Sequence, residues 1–182
     1  MKYIYIIIGI ALLYFVGNDI YKQNTKTKGG GNSTRLACHK KCKVFERTYD
    51  AELLKKAQEA VRAGEYELTS RIKEAKYMQT KMFQYVQLEK VDKMVNDAIA
   101  QRKQDDAKAD GKVVIDYYIY ENDKDDPGKK TKKSKLYAGF LRFILTYNGK
   151  EFYSVQADFM NLEGKDIPKS VECAIESFMT AS

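Results

Sequence analysis

Histidine is all but missing from this chain. The single copy, His39, is accompanied by no nucleophile elbow, no phosphate-cradling glycine loop and no Walker pattern. No catalytic constellation can be assembled from such a set, and the sequence reads as a non-enzyme without a cofactor. Cysteine is limited to Cys38, Cys42 and Cys173. Zinc bound at Cys38 and Cys42 would need two further ligands, and only His39 and Cys173 remain. On a helix His39 would point about 100° away from Cys38, so no metal site is expected. An excess of positive charge is missing from the folded part. Residues 19–50 hold eight Lys/Arg against three Asp/Glu, but 51–110 hold twelve against eleven and 111–182 eleven against eleven. A nucleic-acid surface needs a basic patch on the folded body, so nucleic acid is not an expected partner.

Long apolar runs are scarce as well. The one candidate, Tyr3 to Val16, is uncharged and follows only Lys2. It is short against the roughly 20 residues of a spanning helix, and reaches a marginal span only if extended to Tyr21. Tyr3, Tyr5, Tyr14 and Tyr21 suit an interfacial belt. A cleaved signal peptide is the competing reading, but cleavage after Gly17 would place Phe15 where a small residue is wanted. Residues 1–21 are therefore read as a single-pass membrane anchor. Lysines after the anchor favour a cytoplasmic bulk by the positive-inside rule, while an N-terminal segment after Met-Lys favours export. Export to the periplasm or beyond is the orientation adopted.

Residues 22–47 read as a basic linker carrying a cysteine pair. Cys38 and Cys42 lie four apart, on one face if helical, and form a candidate disulfide once exported. Unpaired thiols are the alternative. Cys173 is then a free thiol, or a partner for one of the other two.

Residues 48–110 contain no proline and are rich in helix formers, which predicts a long helical hairpin or stalk. Leu53, Leu54, Ala57, Ala60 and Val61 recur at helical spacing, and after Gly64 so do Leu68, Ile72, Ala75, Met82 and Val86.

Residues 111–182 predict a small α+β domain: a three-stranded antiparallel sheet with a C-terminal amphipathic helix. Val113, Ile115, Tyr117 and Ile119 alternate in a first strand. A charged loop with Asp123, Asp125 and Asp126 follows; it lacks the EF-hand pattern and reads as solvated. Asn148-Gly149 between aromatic and β-branched runs predicts a hairpin with a two-residue turn. Pairing outward from it sets Leu145 opposite Phe152 and Phe143 opposite Ser154. That register places Leu141, Phe143, Leu145 and Phe152 on one face, with Phe140, Ile144, Tyr153 and Val155 on the other. A sheet apolar on both faces needs two covers. The helix carrying Ile167, Val171, Ala174, Ile175 and Phe178 supplies one. The second is either the helical region upstream or another chain, and Leu141, Phe143, Leu145 and Phe152 are the candidate interface for a protein partner or for self-association.

Leu141 to Gln156, followed by a polar gap and Ile167 to Phe178, resembles the C-terminal domain of TonB and TolA-like envelope proteins. The pattern covers about forty residues and consists of strand, Asn-Gly turn, strand, loop and amphipathic helix. The resemblance implies a periplasmic interaction module. The anchor lacks the Ser and His that couple that family to the proton-motive force, and no Pro-rich spacer is present, so it does not imply an energy transducer. Three functions remain in view: an anchored interaction or scaffold protein, a small-ligand-binding domain, and an accessory subunit of a membrane complex.

Overall fold

A computed structural model describes residues 32–182. The apolar segment Tyr3–Tyr21 lies outside the described residues, and among those described no helix is long and apolar enough to cross a membrane. The expected single-pass membrane helix is thus not found among the described residues. The sheet has five principal strands: β2 (Val44–Thr48), β3 (Tyr66–Lys73), β4 (Val113–Glu121), β5 (Gly139–Tyr147) and β6 (Lys150–Phe159). A two-residue strand, β1 (Asn32–Ser33), extends one edge. The spatial order is β1-β2-β6-β5-β4-β3. Only β3 and β4 run parallel; the other pairs are antiparallel. Three helices lie on one face: α1 (Ala51–Ala63), α2 (Leu88–Ala100) and α3 (Ile167–Thr180).

The architecture is thus α+β, but the three-stranded sheet and the helical stalk are both wrong. Residues 48–110 contain two helices of 13 residues each, and between them lies an eight-residue strand. Gly64 ends α1 at a φ of +87°, and the amides of Gly64 and Glu65 bond back to Val61 and Ala60, a left-handed helix stop. Beyond it the chain alternates rather than coils. Leu68 and Ile72 are four apart, which satisfies a helix period and two strand steps alike. Tyr66, Leu68, Ser70 and Ile72 turn inward while Glu67, Thr69, Arg71 and Lys73 are exposed. The sheet also absorbs residues 44–48, so neither the boundary at 47 nor the one at 110 separates bodies. One buried cluster runs from Cys42 and Val44 to Met179.

The hairpin turn is tight, with Asn148 at φ +49° and Gly149 at +81°. Two residues further on, the register departs from expectation. Tyr147 pairs with Lys150 and Thr146 with Glu151, but Leu145 pairs with Tyr153 and Phe143 with Val155. Phe152 is a bulge residue, and its carbonyl accepts the amides of Tyr49 and Asp50 at 2.8 and 3.3 Å. Inserting one residue exchanges the faces of everything that follows. Tyr153, Val155, Ala157 and Phe159 join Leu141, Phe143 and Leu145 under the helices, all at 0–2% exposure. Phe152 and Tyr153 both pack on the Phe178 ring, with centroids 6.2 and 5.8 Å away.

The outer face is consequently not a second apolar face. It mixes the half-buried apolar groups Val114, Tyr118, Tyr120, Phe140 and Ile144 with Asp116, Arg142, Ser154 and Gln156, and its polar groups satisfy one another. Asp116 accepts from Thr69 and Arg71, Arg142 donates to Ser154, and Arg71 and Lys73 sit over the Tyr118 ring. The expected interface of Leu141, Phe143, Leu145 and Phe152 is enclosed beneath the helices and offers nothing to a partner.

Replacing Gly149 with Val would hold a β-branched residue at positive φ. The expected loss is roughly 1–3 kcal/mol, read as a lower urea midpoint with an unchanged slope. An unchanged midpoint would show that the turn tolerates the strain.

Candidate functional site

The loop before β2 is pinned to α3 by three independent contacts. A short 3-10 turn, Ala37–Lys40, is closed by the amides of Lys41 and Cys42 bonding Cys38 O at 2.9 and 2.8 Å. Cys38 forms a disulfide with Cys173, 135 residues away. The expected Cys38–Cys42 bond does not exist: Cys42 is a free, buried thiol. Cys173 is fully enclosed because α3 is covered on more than its sheet-facing stripe. Cys173 and Ser177 face the 3-10 turn, while Ile175 and Phe178 are buried elsewhere on the helix.

Next to the disulfide, His39 Nε2 lies 2.7 Å from Ser177 Oγ. Ser177 Oγ itself donates to Cys173 O at 2.7 Å, so the imidazole nitrogen must be the donor. Nδ1 keeps its lone pair, facing the Leu36 amide at 3.4 Å. Burial pushes the His39 pKa down, consistent with a neutral ring.

The third contact is Arg35. Its guanidinium donates to Glu46 at 2.8 and 3.1 Å and to the last carbonyls of α3, Ser177 O and Thr180 O. A cation at a helix C-terminus satisfies carbonyls that have no partner within the helix. Glu46 also accepts from Ser33 at 2.6 Å and Tyr153 at 2.7 Å. Burial opposes its charge, yet the hydrogen bonds from Arg35, Ser33 and Tyr153 outweigh it and bring its pKa to about 2.

This pinned loop forms one wall of a cleft of about 900 Å³. The wall supplies Lys40, Lys41 and Lys43. The loop before β5 supplies Lys133, Leu136 and Tyr137, the end of β6 supplies Asp158 and Met160, and the start of α3 supplies Asp166 and Lys169. All five lysines are exposed. None is in an ion pair with a described residue. Against these five lysines stand two carboxylates, so positive charge is in excess. Asp166 accepts the Met160 and Asn161 amides, which hold it in place as an anion. Burial pushes the Asp158 pKa up, against a hydrogen bond from Gln156 and the charge of Lys43. Leu136 and Met160 are 67% and 58% exposed at the rim. The cleft is therefore a cationic bowl with apolar edges.

A smaller cleft of about 410 Å³ gathers Lys73, Tyr77, Tyr118, Tyr120, Phe140 and Asp123. Its rings are already occupied by the chain's own cations, with Lys129 over Tyr120 and Lys73 over Tyr118. Asp123 was expected in a solvated loop. It is fully buried, accepting the Lys76 and Tyr77 amides at 2.8 and 2.7 Å, and Glu121 does the same for Lys81 and Met82. These two acids tie the 74–87 loop to the end of β4.

No signal in the sequence could have assembled the cationic cleft, because its lysines come from segments about 90 and 36 residues apart in chain order. Comparison with known proteins leaves the chain on its own: no family model, no curated protein and no solved structure matches it.

Two measurements check this geometry. Unreduced protein, alkylated while denatured, should carry the label on Cys42 alone and yield a Cys38–Cys173 linked peptide. A Cys38–Cys42 link would refute the pinning. Acid titration checks Glu46. Its folded pKa, about 2, lies below the ordinary 4.5, so its contribution is complete above about pH 4.5 and is lost as pH falls toward 2. The depression corresponds to roughly 3 kcal/mol. The stability gap between wild type and Glu46→Gln should close by that amount between pH 5 and pH 2. A gap that stays constant would place the cause elsewhere.

Proposed function

We propose that the protein is a non-catalytic interaction module whose cleft receives an acidic, partly apolar segment of a partner protein. One observation carries this reading: five exposed ammonium groups, none in an ion pair with a described residue, converge on a cleft that holds only two carboxylates among its lining residues. Lysines free of internal partners are available to an incoming acid, and complementary charge raises the rate and selectivity of encounter. Leu136 and Met160 at the rim give apolar side chains of the same segment a surface to cover. The cleft is within the ordinary size of a binding site, and its walls are held by a disulfide and a partly exposed ion pair, so little ordering is needed on binding. The order of strand, Asn-Gly turn, strand and helix, which resembles TonB and TolA-like interaction domains, supports the same class of function.

The test is fluorescence anisotropy with a labelled peptide alternating Asp/Glu with Leu/Phe, beside a charge-reversed control. The acidic peptide should bind, and its affinity should fall with added salt. Lys41→Glu with Lys169→Glu should weaken it by more than about 10-fold, or about 1.4 kcal/mol. Lys93→Glu with Lys130→Glu, away from the cleft, should leave it unchanged. Equal binding of both peptides, or equal loss in both double variants, would overturn the reading.

A further inference from the structure

The corner that pins the 3-10 turn to α3 holds more than a disulfide. Cys38 Sγ, Cys173 Sγ and a ring nitrogen of His39 all lie within 4.8 Å of one another. Two thiolates and an imidazole are a donor set that zinc takes readily. In the oxidised chain the sulfurs are bonded to each other and have no charge to offer a metal. We propose that reduction of Cys38–Cys173 by a dithiol turns this corner into a three-ligand Cys2His zinc site.

Three features of the fold favour it. The first is the proximity of the donors. Bonds of about 2.3 Å to sulfur and 2.0–2.1 Å to nitrogen put tetrahedral donors roughly 3.5–3.8 Å apart, so the sulfurs separate and the nitrogen closes in by side-chain rotation. The cysteine Cα atoms are 5.7 Å apart, and the turn and helix carrying them can stay in place. The second is the histidine. A metal-binding imidazole usually donates its other N–H to a fixed polar partner, which sets the tautomer and the ring plane. His39 has one nitrogen fixed in this way: Nε2–H is held by Ser177 Oγ, itself fixed on Cys173 O. Nδ1 bears the lone pair and accepts the Leu36 amide at 3.4 Å, a long contact that caps the 3-10 turn and that a metal bond would replace. The third is access. Cys38 is only half-buried and His39 borders the cationic cleft, so a metal has an entry path and a fourth position open to water.

The chemistry balances. The dithiol is oxidised to its cyclic disulfide, and its two electrons and two protons convert the Cys38–Cys173 bond into two thiols. Zinc then displaces both thiol protons to solvent, takes the neutral imidazole without releasing a proton, and fills the fourth position with water. The site rests on the side-chain geometry alone and is independent of what the cleft binds.

The experiment uses the whole chain, oxidised or reduced with a phosphine that is then removed, and cobalt(II) as the probe. The reduced chain should develop a thiolate-to-cobalt charge-transfer band and tetrahedral visible bands at one cobalt per chain, and zinc should abolish both. The oxidised chain should develop neither. Zinc should raise the melting temperature of the reduced chain and leave that of the oxidised chain unmoved, a readout that needs no variant. Cys42→Ser should keep the bands. His39→Gln should weaken cobalt at least about 100-fold, and Ser177→Ala, which leaves all three ligands, by roughly 10-fold or more. The proposal is overturned if the reduced wild type gives no band and no zinc-dependent rise in melting temperature. It is equally overturned if the oxidised chain gives the same band, or if the band needs Cys42 rather than His39.

Discussion

The single extra residue at Phe152 decides how this chain can fold. In an unbroken hairpin, Tyr153, Val155, Ala157 and Phe159 would point away from the helices, and the sheet would need a cover on each side. With the bulge, β6 presents those residues on the same side as Leu141, Phe143 and Leu145. The fully buried apolar groups of the central strands then face one layer of helices, and Phe140 and Ile144 stay half-buried on the other side. The cost of the irregularity is small, because the bulged carbonyl is not orphaned: the chain leaving β2 supplies two amides to it. The same contact sets where β2 ends and α1 begins. One insertion therefore fixes the core, leaves the opposite face a half-exposed mixture of polar and apolar groups, and locates the edge strand whose entry loop walls the cleft.

What could be read from the residues follows from where two signals coincide. The Asn-Gly turn, the alternation in β4 and the amphipathic stripe of α3 each have one structural solution, and each is found at its expected place. Around Leu68 and Ile72 the signal is degenerate, since a spacing of four satisfies helix and strand together; only the glycine stop four residues earlier, with its φ of +87°, breaks the tie. β2 was hidden for a different reason. Within Val44–Thr48 only Val44 is fully buried, so an edge strand with one core residue looks like linker. The bulge left no mark at all. Any hairpin of this composition can be paired in two registers, and the choice between them belongs to the helices that cover it.

The site was less legible still. Its lysines belong to three separate segments, and what makes them a site is their convergence on one cleft, a three-dimensional property. The cysteines show the same limit. Spacing favoured the pair four residues apart, whereas the observed bond joins residues 135 apart. Arg35 and Glu46 complete the clamp, and both sit in or beside the stretch that composition marks as linker. A basic and glycine-rich surrounding concealed a segment that is anchored by a covalent bond, a half-buried carboxylate and a helix terminus.

The disulfide also has a consequence for how the molecule withstands cutting. Every described loop between β2 and α3 lies inside the covalent ring it closes, including the exposed, lysine-rich stretch 124–136. A protease that nicks that stretch divides the chain into a piece with β1 to β4 and a piece with β5, β6 and α3. Neither piece owns a complete sheet, yet each supplies the other's missing neighbours, because β5 bonds to β4 and β6 bonds to β2. The two fragments remain interleaved by hydrogen bonds and joined through sulfur. A nicked molecule keeps its shape and migrates as one chain until a reductant parts it.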